Sequence, residues 1–214
     1  MMLEEHCEEV WRCNLELPKN GLVKMTNGNV SGRDPESNQV VIKPSGYRYE
    51  DLTSQDLVVV DLKGNVVEGS LSPSTDTATH LYVYRQRADV FGIAHTHSPY
   101  ASSFAALGRP IPPCLTASAM LGGEVPLGGY AAVGDEAIGE EIVKSIGQSL
   151  AIIMQNHGVF TIGSSASVAT KMAVEVEEIA KTTHLAIQIG EPIVLTEPQI
   201  AEMAHLYTHL YGQG

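Results

Sequence analysis

The sequence predicts a single α/β domain in which helices pack on a central β-sheet. Strand-like and helix-like patterns alternate along the 214 residues, and tight turns separate several of the strand-like segments. No repeat, linker or low-complexity stretch divides residues 1–214, which we therefore expect to fold as one domain of ordinary size.

The N-terminal half is predicted to contain two helices and several strands. Apolar residues at helical spacing favour a helix over residues 3–17 that Pro18 ends, and a run of candidate caps favours a second helix over residues 79–87. The polar stretch Thr26–Gly32, taken by itself, is typical of a hairpin loop. Strands are predicted at residues 40–43, at residues 57–61 and after a turn within residues 63–67.

The C-terminal half continues the alternation. A short apolar strand is predicted at Val90–Ala94, and Pro99 soon follows it. The glycine pair Gly122 and Gly123 indicates a turn or a close backbone approach. Further strands are predicted at residues 150–154 and 159–162. Helices are predicted at residues 98–107, 135–147, 167–189 and 197–210.

Composition and charge exclude several classes of protein. Apolar residues make up 43% of the chain and charged residues 18%, which indicates a folded protein rather than a disordered one. The net charge is −12 and the 13 Lys and Arg residues form no cluster, so neither a nucleic-acid nor an anionic-membrane partner is expected. The acidic N-terminus has no apolar signal core, and no run approaches the roughly 18 apolar residues of a membrane span. We expect a cytoplasmic protein in which Cys7, Cys13 and Cys114 are reduced thiols.

Two histidines lie where the strand predicted at Val90–Ala94 runs out into a loop. Because successive side chains on a strand point to opposite faces, His95 and His97 are expected to project from the same face. Two neutral imidazoles placed in this way can bind one zinc ion or a similar metal. Taken alone, the pair is equally consistent with two unrelated histidines, one in the core and one at the surface.

A third histidine and one carboxylate complete a chemically reasonable metal site. His157 lies in a strand–turn–strand corner beside Gly158, where backbone can approach a ligand closely, and Asp76 begins the helix upstream of the histidine pair. Alone, these two residues would be interpreted as a turn histidine and a helix cap. Three imidazoles and a carboxylate, without a thiolate, suit a catalytic ion better than a structural one, since a position remains open for substrate or water.

Three loops contain groups that suit a phosphate. Each loop lies at the end of a strand or the start of a helix, where hydroxyl groups and backbone N–H groups are available. Lys43 directly precedes the second loop and can add a positive charge. Without a wider pattern, an ordinary surface-loop interpretation is equally good. The candidate residues are Asn29, Ser31, Ser45, Gly46, Ser74 and Thr75.

Five motifs supply that wider pattern, and they make the chain resemble the class II aldolase/adducin family over nearly its whole length. They are Thr26-Asn-Gly-Asn-Val-Ser31, Val41-Ile-Lys-Pro-Ser-Gly46, Glu68-Gly-Ser-Leu-Ser-Pro-Ser-Thr-Asp76-Thr-Ala-Thr-His80, His95-Thr-His97 and Asn156-His157-Gly158. Enzymes of this family include L-fuculose-1-phosphate aldolases and L-ribulose-5-phosphate 4-epimerases. The resemblance implies a mostly antiparallel sheet flanked by helices, and a homotetramer with active sites at its subunit interfaces.

The resemblance also implies a role for each matching residue. His95, His97 and His157 match the zinc ligands, and manganese or cobalt suits the same donors. Asp76 matches an acidic position that contacts the metal and acts as acid and base. Tyr211 matches an aromatic residue that reaches the active site of a neighbouring subunit in the epimerase. The residues that match the phosphate pocket are Asn29, Ser45, Gly46, Ser74 and Thr75.

Different parts of the chain resemble different enzymes of the family. Asp76 and Thr116 follow the epimerase, whereas the stretches beginning at Gly122 and Gly129 follow the aldolase. Met120 stands where the epimerase has an acid/base aspartate, and a thioether cannot transfer a proton. Epimerisation needs proton donors on both faces of the substrate, so this loss is more serious for epimerisation than for cleavage.

We therefore predict a zinc-dependent aldolase that cleaves a ketose phosphate of the L-fuculose-1-phosphate type to dihydroxyacetone phosphate and an aldehyde. The first alternative is an L-ribulose-5-phosphate 4-epimerase. A non-enzymatic adducin-like interaction module is a second, although such a module has no reason to keep the metal ligands. A decarboxylase or dehydratase of a sugar-acid phosphate is a third, which Asp at position 76 disfavours.

Overall fold

An eight-stranded β-sheet forms the centre of the computed structural model, which describes residues 3–209. Its strands are β1 (Asn29–Arg33), β2 (Val40–Ile42), β3 (Val58–Val60), β4 (Val66–Glu68), β5 (Gly92–Thr96), β6 (Leu127–Gly128), β7 (Ala151–Met154) and β8 (Val159–Gly163). Their order in space is β4-β3-β2-β1-β5-β8-β7-β6. Every neighbouring pair is antiparallel except β6 with β7, so the predicted mostly antiparallel sheet is confirmed.

Helices cover both faces of this sheet. Within the described range they are α1 (Glu4–Lys19), α2 (Thr77–Gln86), α3 (Pro99–Leu107), α4 (Ala137–Ser145), α5 (Ala166–Ile189) and α6 (Glu197–His209). Two short 3₁₀ helices span Ser54–Asp56 and Thr116–Leu121. Of the helices between residues 3 and 209, none has the length and apolar character that crossing a membrane requires.

Alternating apolar side chains explain why the sheet is covered on both sides. Val41 and Val59 belong to the core formed with α1 and α5, whereas Val40, Val58 and Val60 belong to the core formed with α2 and α4. A third apolar cluster joins β7 and the start of β8 to α3 and α5. The predicted α/β architecture is thereby confirmed, while one domain over residues 1–214 stays a prediction because the terminal residues lie outside the described range.

The structure corrects the sequence prediction in the first central strand. Thr26–Gly32 is not a hairpin loop, since β1 begins at Asn29 and pairs with β2 on one side and β5 on the other. The polar residues of β1 are tolerated at the centre of the sheet because their side chains find buried hydrogen-bond partners, as described below.

Three smaller differences concern the bounds of elements. β5 starts at Gly92, two residues later than predicted, after a turn in which the Val90 amide bonds the Arg87 carbonyl. Pro18 lies in the last turn of α1 instead of following it. The two-residue strand β6 was not predicted, because so short a segment has no periodicity to detect.

Gly92 of β5 lies directly against the backbone of the first residues of α5. A β-carbon built on Gly92 would overlap the Ser165 carbonyl oxygen and the Ala166 nitrogen, which are backbone atoms of the helix start. We predict that Gly92→Ala lowers the free energy of unfolding by about 3 kcal/mol, because backbone atoms cannot rotate away from the added methyl group. Denaturant unfolding followed by circular dichroism measures this change.

Gly190→Ala is the matched control for this prediction. A β-carbon at Gly190 meets no atom within 4 Å, and the φ angle there is 176°, which any residue adopts. We expect a change below about 0.5 kcal/mol. Equal losses in the two variants would contradict the packing argument.

Candidate active site

One cavity of about 390 Å³ brings together residues that are far apart in the sequence. It lies where β1 and β5 approach the start of α2. All predicted site residues within the described range, apart from Ser31, line it, namely Asn29, Lys43, Ser45, Gly46, Ser74, Thr75, Asp76, His95, His97 and His157. Tyr211 lies outside the described residues. The structure thus places these side chains in one cavity, while their roles stay predictions.

The register of the sheet sets His95 beside Asn29. In the pairing of β1 with β5, Asn29 is opposite His95, and in the pairing of β5 with β8, His95 is opposite Phe160. Residues that are paired in this way project from the same face. The His95 and Phe160 rings are stacked, with centroids 4.1 Å apart and planes 13° from parallel. This stacking fixes the plane of the His95 ring.

A hydrogen bond fixes which nitrogen of His95 carries the proton. Nδ1 of His95 lies 2.9 Å from the Val159 carbonyl oxygen. Because a carbonyl can only accept, Nδ1 carries the proton and Nε2 of the neutral ring presents its lone pair to the cavity. Burial lowers the pKa of His95 to about 3, although the Asp76 carboxylate acts in the opposite direction. His95 is therefore neutral at physiological pH, as a metal ligand must be.

The three histidines form a group that fits a metal ion. Nε2 of His97 lies 3.0 Å from Nε2 of His95, and ligand nitrogens of all three rings, His157 included, lie within 4.8 Å of one another. Nδ1 of His157 is buried and has no hydrogen-bond partner among the described residues. Burial is the main cause that lowers the pKa of His97 and His157. Three neutral imidazoles this close together match the donor set of a catalytic zinc site.

Gly158 lets the histidine-bearing segments approach one another. A β-carbon on Gly158 would lie 2.5 Å from the Thr96 carbonyl oxygen and 2.7 Å from Cδ2 of His97. From the sequence, Gly158 is expected to let backbone approach a ligand closely. The structure shows that it accommodates the end of β5 instead, and therefore the histidine pair itself.

Asp76 stands at the N-cap position of α2, but its side chain makes no capping bond. Oδ2 of Asp76 accepts a 2.7 Å hydrogen bond from Nδ2 of Asn29, and the Ser74 hydroxyl lies 3.5 Å from the same oxygen. Burial raises the pKa of Asp76, but the His95 and His80 rings and the Asn29 bond together lower it below its usual value. The ionised carboxylate is separate from the close group of histidine nitrogens, so its place as a fourth ligand stays a prediction.

Two of the predicted phosphate loops are held side by side by backbone contacts. An isolated β-bridge joins Pro44 and Pro73. The Ser45 amide donates to the Ser72 carbonyl at 2.9 Å, and the Ser74 amide donates to the Lys43 carbonyl at 3.1 Å. Nδ2 of Asn29 links the third loop to this pair through a 3.1 Å bond to the Ser74 hydroxyl. Residues from three loops therefore surround one end of the cavity.

Lys43 is a buried cation on the cavity wall, with only 1% of its surface exposed. Its Nζ donates weak hydrogen bonds to the carbonyl oxygens of Thr26 at 3.3 Å and Pro44 at 3.4 Å, and lies 4.8 Å from the centre of the Tyr49 ring. Burial lowers the pKa of Lys43 to about 8, while Asp76 acts to raise it. Lys43 is therefore mostly protonated at neutral pH and has unused capacity to bind an anion.

Ser31 does not belong to the cavity, although the sequence suggested it. Its hydroxyl lies 2.7 Å from Nδ1 of His80 and 2.8 Å from the Tyr84 hydroxyl. These three buried side chains form a polar network between β1 and α2. Ser31 is two residues from Asn29 on the same face of β1, but α2 covers that part of the face.

The cavity includes one residue that the sequence does not indicate, and two residues that the sequence singled out lie elsewhere. Val133 lines the cavity although it is 59% exposed, and a single valine in a loop carries no sequence signal of a site. Thr116 is exposed and does not line this cavity, and Met120 packs against the apolar cluster of β7, α3 and α5.

Comparison with known proteins agrees with the fold and the motifs. The family model for the class II aldolase and adducin N-terminal domain matches residues 8–184. The chain matches the structure of an L-fuculose 1-phosphate aldolase with a TM-score of 0.91 and 32% identity, over 95% of this chain and 96% of that one.

Two further structures extend this comparison. An L-fuculose 1-phosphate aldolase from Glaciozyma antarctica has a TM-score of 0.82 and 25% identity, over 94% of this chain and 80% of that one. An L-fuculose-1-phosphate aldolase from Thermus thermophilus has a TM-score of 0.74 and 23% identity, over 89% of this chain and 100% of that one. At this identity the likeness shows the fold alone. With its family-model match and its fold, the chain belongs to the class II aldolase and adducin family.

Proposed function

We propose that this protein is a zinc-dependent aldolase that cleaves a ketose phosphate of the L-fuculose-1-phosphate type to dihydroxyacetone phosphate and an aldehyde. The observation that carries the proposal is the cavity in which three histidines lie beside polar loops and a buried lysine. The 32% identity to an L-fuculose 1-phosphate aldolase, over nearly the whole of both chains, supports the same class of reaction.

His95, His97 and His157 are the residues that would hold the metal, with Asp76 beside them. When bound, a divalent ion acts as a Lewis acid that stabilises the negative charge developing on substrate oxygens as a C–C bond breaks. Zinc suits three imidazoles and a carboxylate, and manganese or cobalt remains chemically acceptable. The neutral state of the histidines and the ionised state of Asp76 both favour binding of a cation.

The phosphate of the substrate is proposed to bind between the three loops around Asn29, Ser45 and Ser74. Hydroxyl groups, backbone N–H groups and the Lys43 ammonium are the donors that a phosphate dianion requires. Ser45, Gly46 and Thr75 are exposed at the cavity, whereas Asn29 and Lys43 are buried in its wall. Holding the phosphate at this end directs the carbonyl end of the sugar towards the histidines.

Cleavage requires two proton movements. The hydroxyl group on the carbon that becomes the aldehyde loses its proton while the bonding electrons pass to the triose fragment, and the triose carbon then gains a proton. In our proposal the Asp76 carboxylate, which Asn29 holds on the cavity wall, takes up a proton and transfers it to the triose carbon. The proton lost from the hydroxyl group is thereby balanced by the proton gained at carbon. Tyr211 of the partner subunit is proposed to serve the aldehyde oxygen.

A homotetramer with active sites at its interfaces is part of the proposal. Large apolar side chains are exposed close to the cavity, where Met25 is 76% exposed beside Thr26 and Val133 is 59% exposed on the cavity wall. A neighbouring subunit that covered these side chains would remove their apolar surface from water. The three cysteines are free thiols, which supports the proposed cytoplasmic location.

The first test offers two substrates to one purified preparation, with and without a chelator. We expect release of dihydroxyacetone phosphate from L-fuculose-1-phosphate that the chelator abolishes and zinc restores, and no D-xylulose-5-phosphate from L-ribulose-5-phosphate. Formation of D-xylulose-5-phosphate would support the epimerase instead. A folded protein that binds no metal would support the adducin-like interaction module.

Lys43→Met tests the phosphate assignment. Because the folded protein holds the pKa of Lys43 at about 8, below the unfolded value, the unfolded chain binds more protons and the stability contribution of Lys43 rises with pH between about 8 and 10.5. We therefore expect Lys43→Met to leave the melting temperature at pH 7 unchanged or higher. The KM for the phosphorylated substrate should rise roughly tenfold or more, because a charge-assisted bond is lost.

Lys63→Met is the matched control for Lys43, since Lys63 lies in the exposed turn between β3 and β4 and does not line the cavity. It should leave KM unchanged. A Lys43→Met variant that loses stability and keeps its KM would show that Lys43 has only a structural role.

Tyr211→Phe tests the residue that is proposed to serve the aldehyde oxygen. Removal of one hydroxyl group should lower kcat by about a hundredfold, the lower end of the range for a general acid or base, while metal content is unchanged. Tyr82→Phe is the control, because Tyr82 packs beside Gly139 between α2 and α4. Undiminished turnover in Tyr211→Phe would refute the role of Tyr211 and leave the rest of the proposal intact.

A further inference from the structure

The N-terminus of α3, the helix that follows the histidine pair, is capped by a carboxylate from another helix. α3 begins at Pro99, so Tyr100 and Ala101 carry first-turn N–H groups that have no partner within their own helix. The Tyr100 amide donates to Oε1 of Glu177 at 3.0 Å, and the Ala101 amide donates to Oε2 at 2.9 Å. Glu177 lies on α5 and is only 7% exposed. One buried side chain therefore binds two of the free N–H groups.

The residue that would ordinarily cap α3 does not do so. Ser98 stands at the N-cap position without a side-chain cap bond, and its hydroxyl is buried without a partner among the described residues. A carboxylate at a helix N-terminus is favoured by the helix dipole and by charge-assisted hydrogen bonds. Glu177 thus replaces the local cap, although it lies more than 70 residues further along the chain.

The histidines differ in how firmly the sheet holds them. His95 is inside β5, stacks on Phe160 and bonds to the Val159 carbonyl. His97 lies beyond the end of β5 and directly before Ser98, and it is exposed. Its backbone is held between the last residue of the strand and the first residues of α3. The place of His97 therefore depends on where α3 begins.

We propose that Glu177 is a positioning residue for the metal centre, which fixes the N-terminus of α3 and thereby holds His97 where it can share an ion with His95 and His157. This inference rests on the proposed function, because it requires that the three histidines bind a metal. Glu177 itself does not line the cavity, so it acts through His97.

Glu177→Gln is a sharp test because the two side chains have nearly the same shape. An amide offers only one acceptor oxygen, so its NH₂ group would face one of the two backbone N–H groups, donor against donor. We expect zinc affinity, measured by chelator competition on protein shown to be folded by circular dichroism, to fall by about tenfold to a hundredfold, the range for residues that orient metal ligands. The visible spectrum of the cobalt-loaded protein should change as well.

Glu178→Gln is the matched control, because Glu178 is the next residue of α5, carries the same charge and is exposed. It should leave zinc affinity and the cobalt spectrum unchanged. Hydrogen exchange on the metal-free proteins supplies a separate measurement, in which the Tyr100 and Ala101 amides should exchange faster in Glu177→Gln and at the original rate in Glu178→Gln. Equal zinc affinity in Glu177→Gln and the original protein would overturn the inference.

A double-mutant cycle with His97→Ala shows whether Glu177 acts through His97. In the His97→Ala background, Glu177→Gln should change zinc affinity less than about twofold. Additive losses would overturn the inference, because they would mean that Glu177 loosens the site in general. If Glu177→Gln does not fold, Glu177→Asp replaces it, since the shorter carboxylate cannot reach both amides, and an unchanged zinc affinity would again overturn the inference.

This experiment separates the failure of the inference from the failure of the proposed function. An original protein that is folded and binds no zinc overturns both. An original protein that binds zinc, together with a Glu177→Gln variant that binds it equally well, overturns only the role of Glu177.

Discussion

The pairing of β1 with β5 is the constraint on which the site depends. This pairing sets Asn29 opposite His95, and through Asn29 it links His95 to Asp76 and Ser74. A shift of one residue would turn His95 to the opposite face of the sheet, towards α1 and α5. The register is held by apolar neighbours, since Val30 and Ala94 are paired and both belong to the core formed with α1 and α5. Core packing thus decides which polar side chains meet in the cavity.

The cavity is electrically balanced before anything binds to it. The histidines are neutral because burial lowers their pKa values, Asp76 is ionised, and Lys43 is mostly protonated although burial lowers its pKa to about 8. A divalent cation beside the histidines and a phosphate dianion beside Lys43 would preserve that balance. Each buried charge is costly without a partner, so the arrangement favours a ligand that carries both charges into the site over an isolated ion.

The sequence predicted most helices and strands and all cavity residues discussed above except Val133, because apolar periodicity and residue chemistry are local properties. The prediction of a loop at β1 was wrong, because Asn29 and Ser31 are polar and only tertiary contacts make them suitable for a central strand. The sequence indicated Ser31 as part of the phosphate group because a pattern cannot tell which part of a strand a helix will cover. It missed Glu177, which in the sequence is one of several glutamates on a long helix and differs from Glu178 only in the direction it faces.

The position of Glu177 on α5 follows from the way this helix packs on the sheet. Ala166, Ala169 and Ala173 lie on one stripe of α5 and belong to the core below it, and Glu177 follows one helical turn later on the same stripe. Small side chains let α5 approach the sheet closely, and Gly92 gives room for its first residues. The distance between α5 and the sheet therefore also sets how far the Glu177 carboxylate lies from the sheet. If that carboxylate holds α3 and His97, the same surface of α5 sets both the contact with Gly92 and the position of a proposed metal ligand.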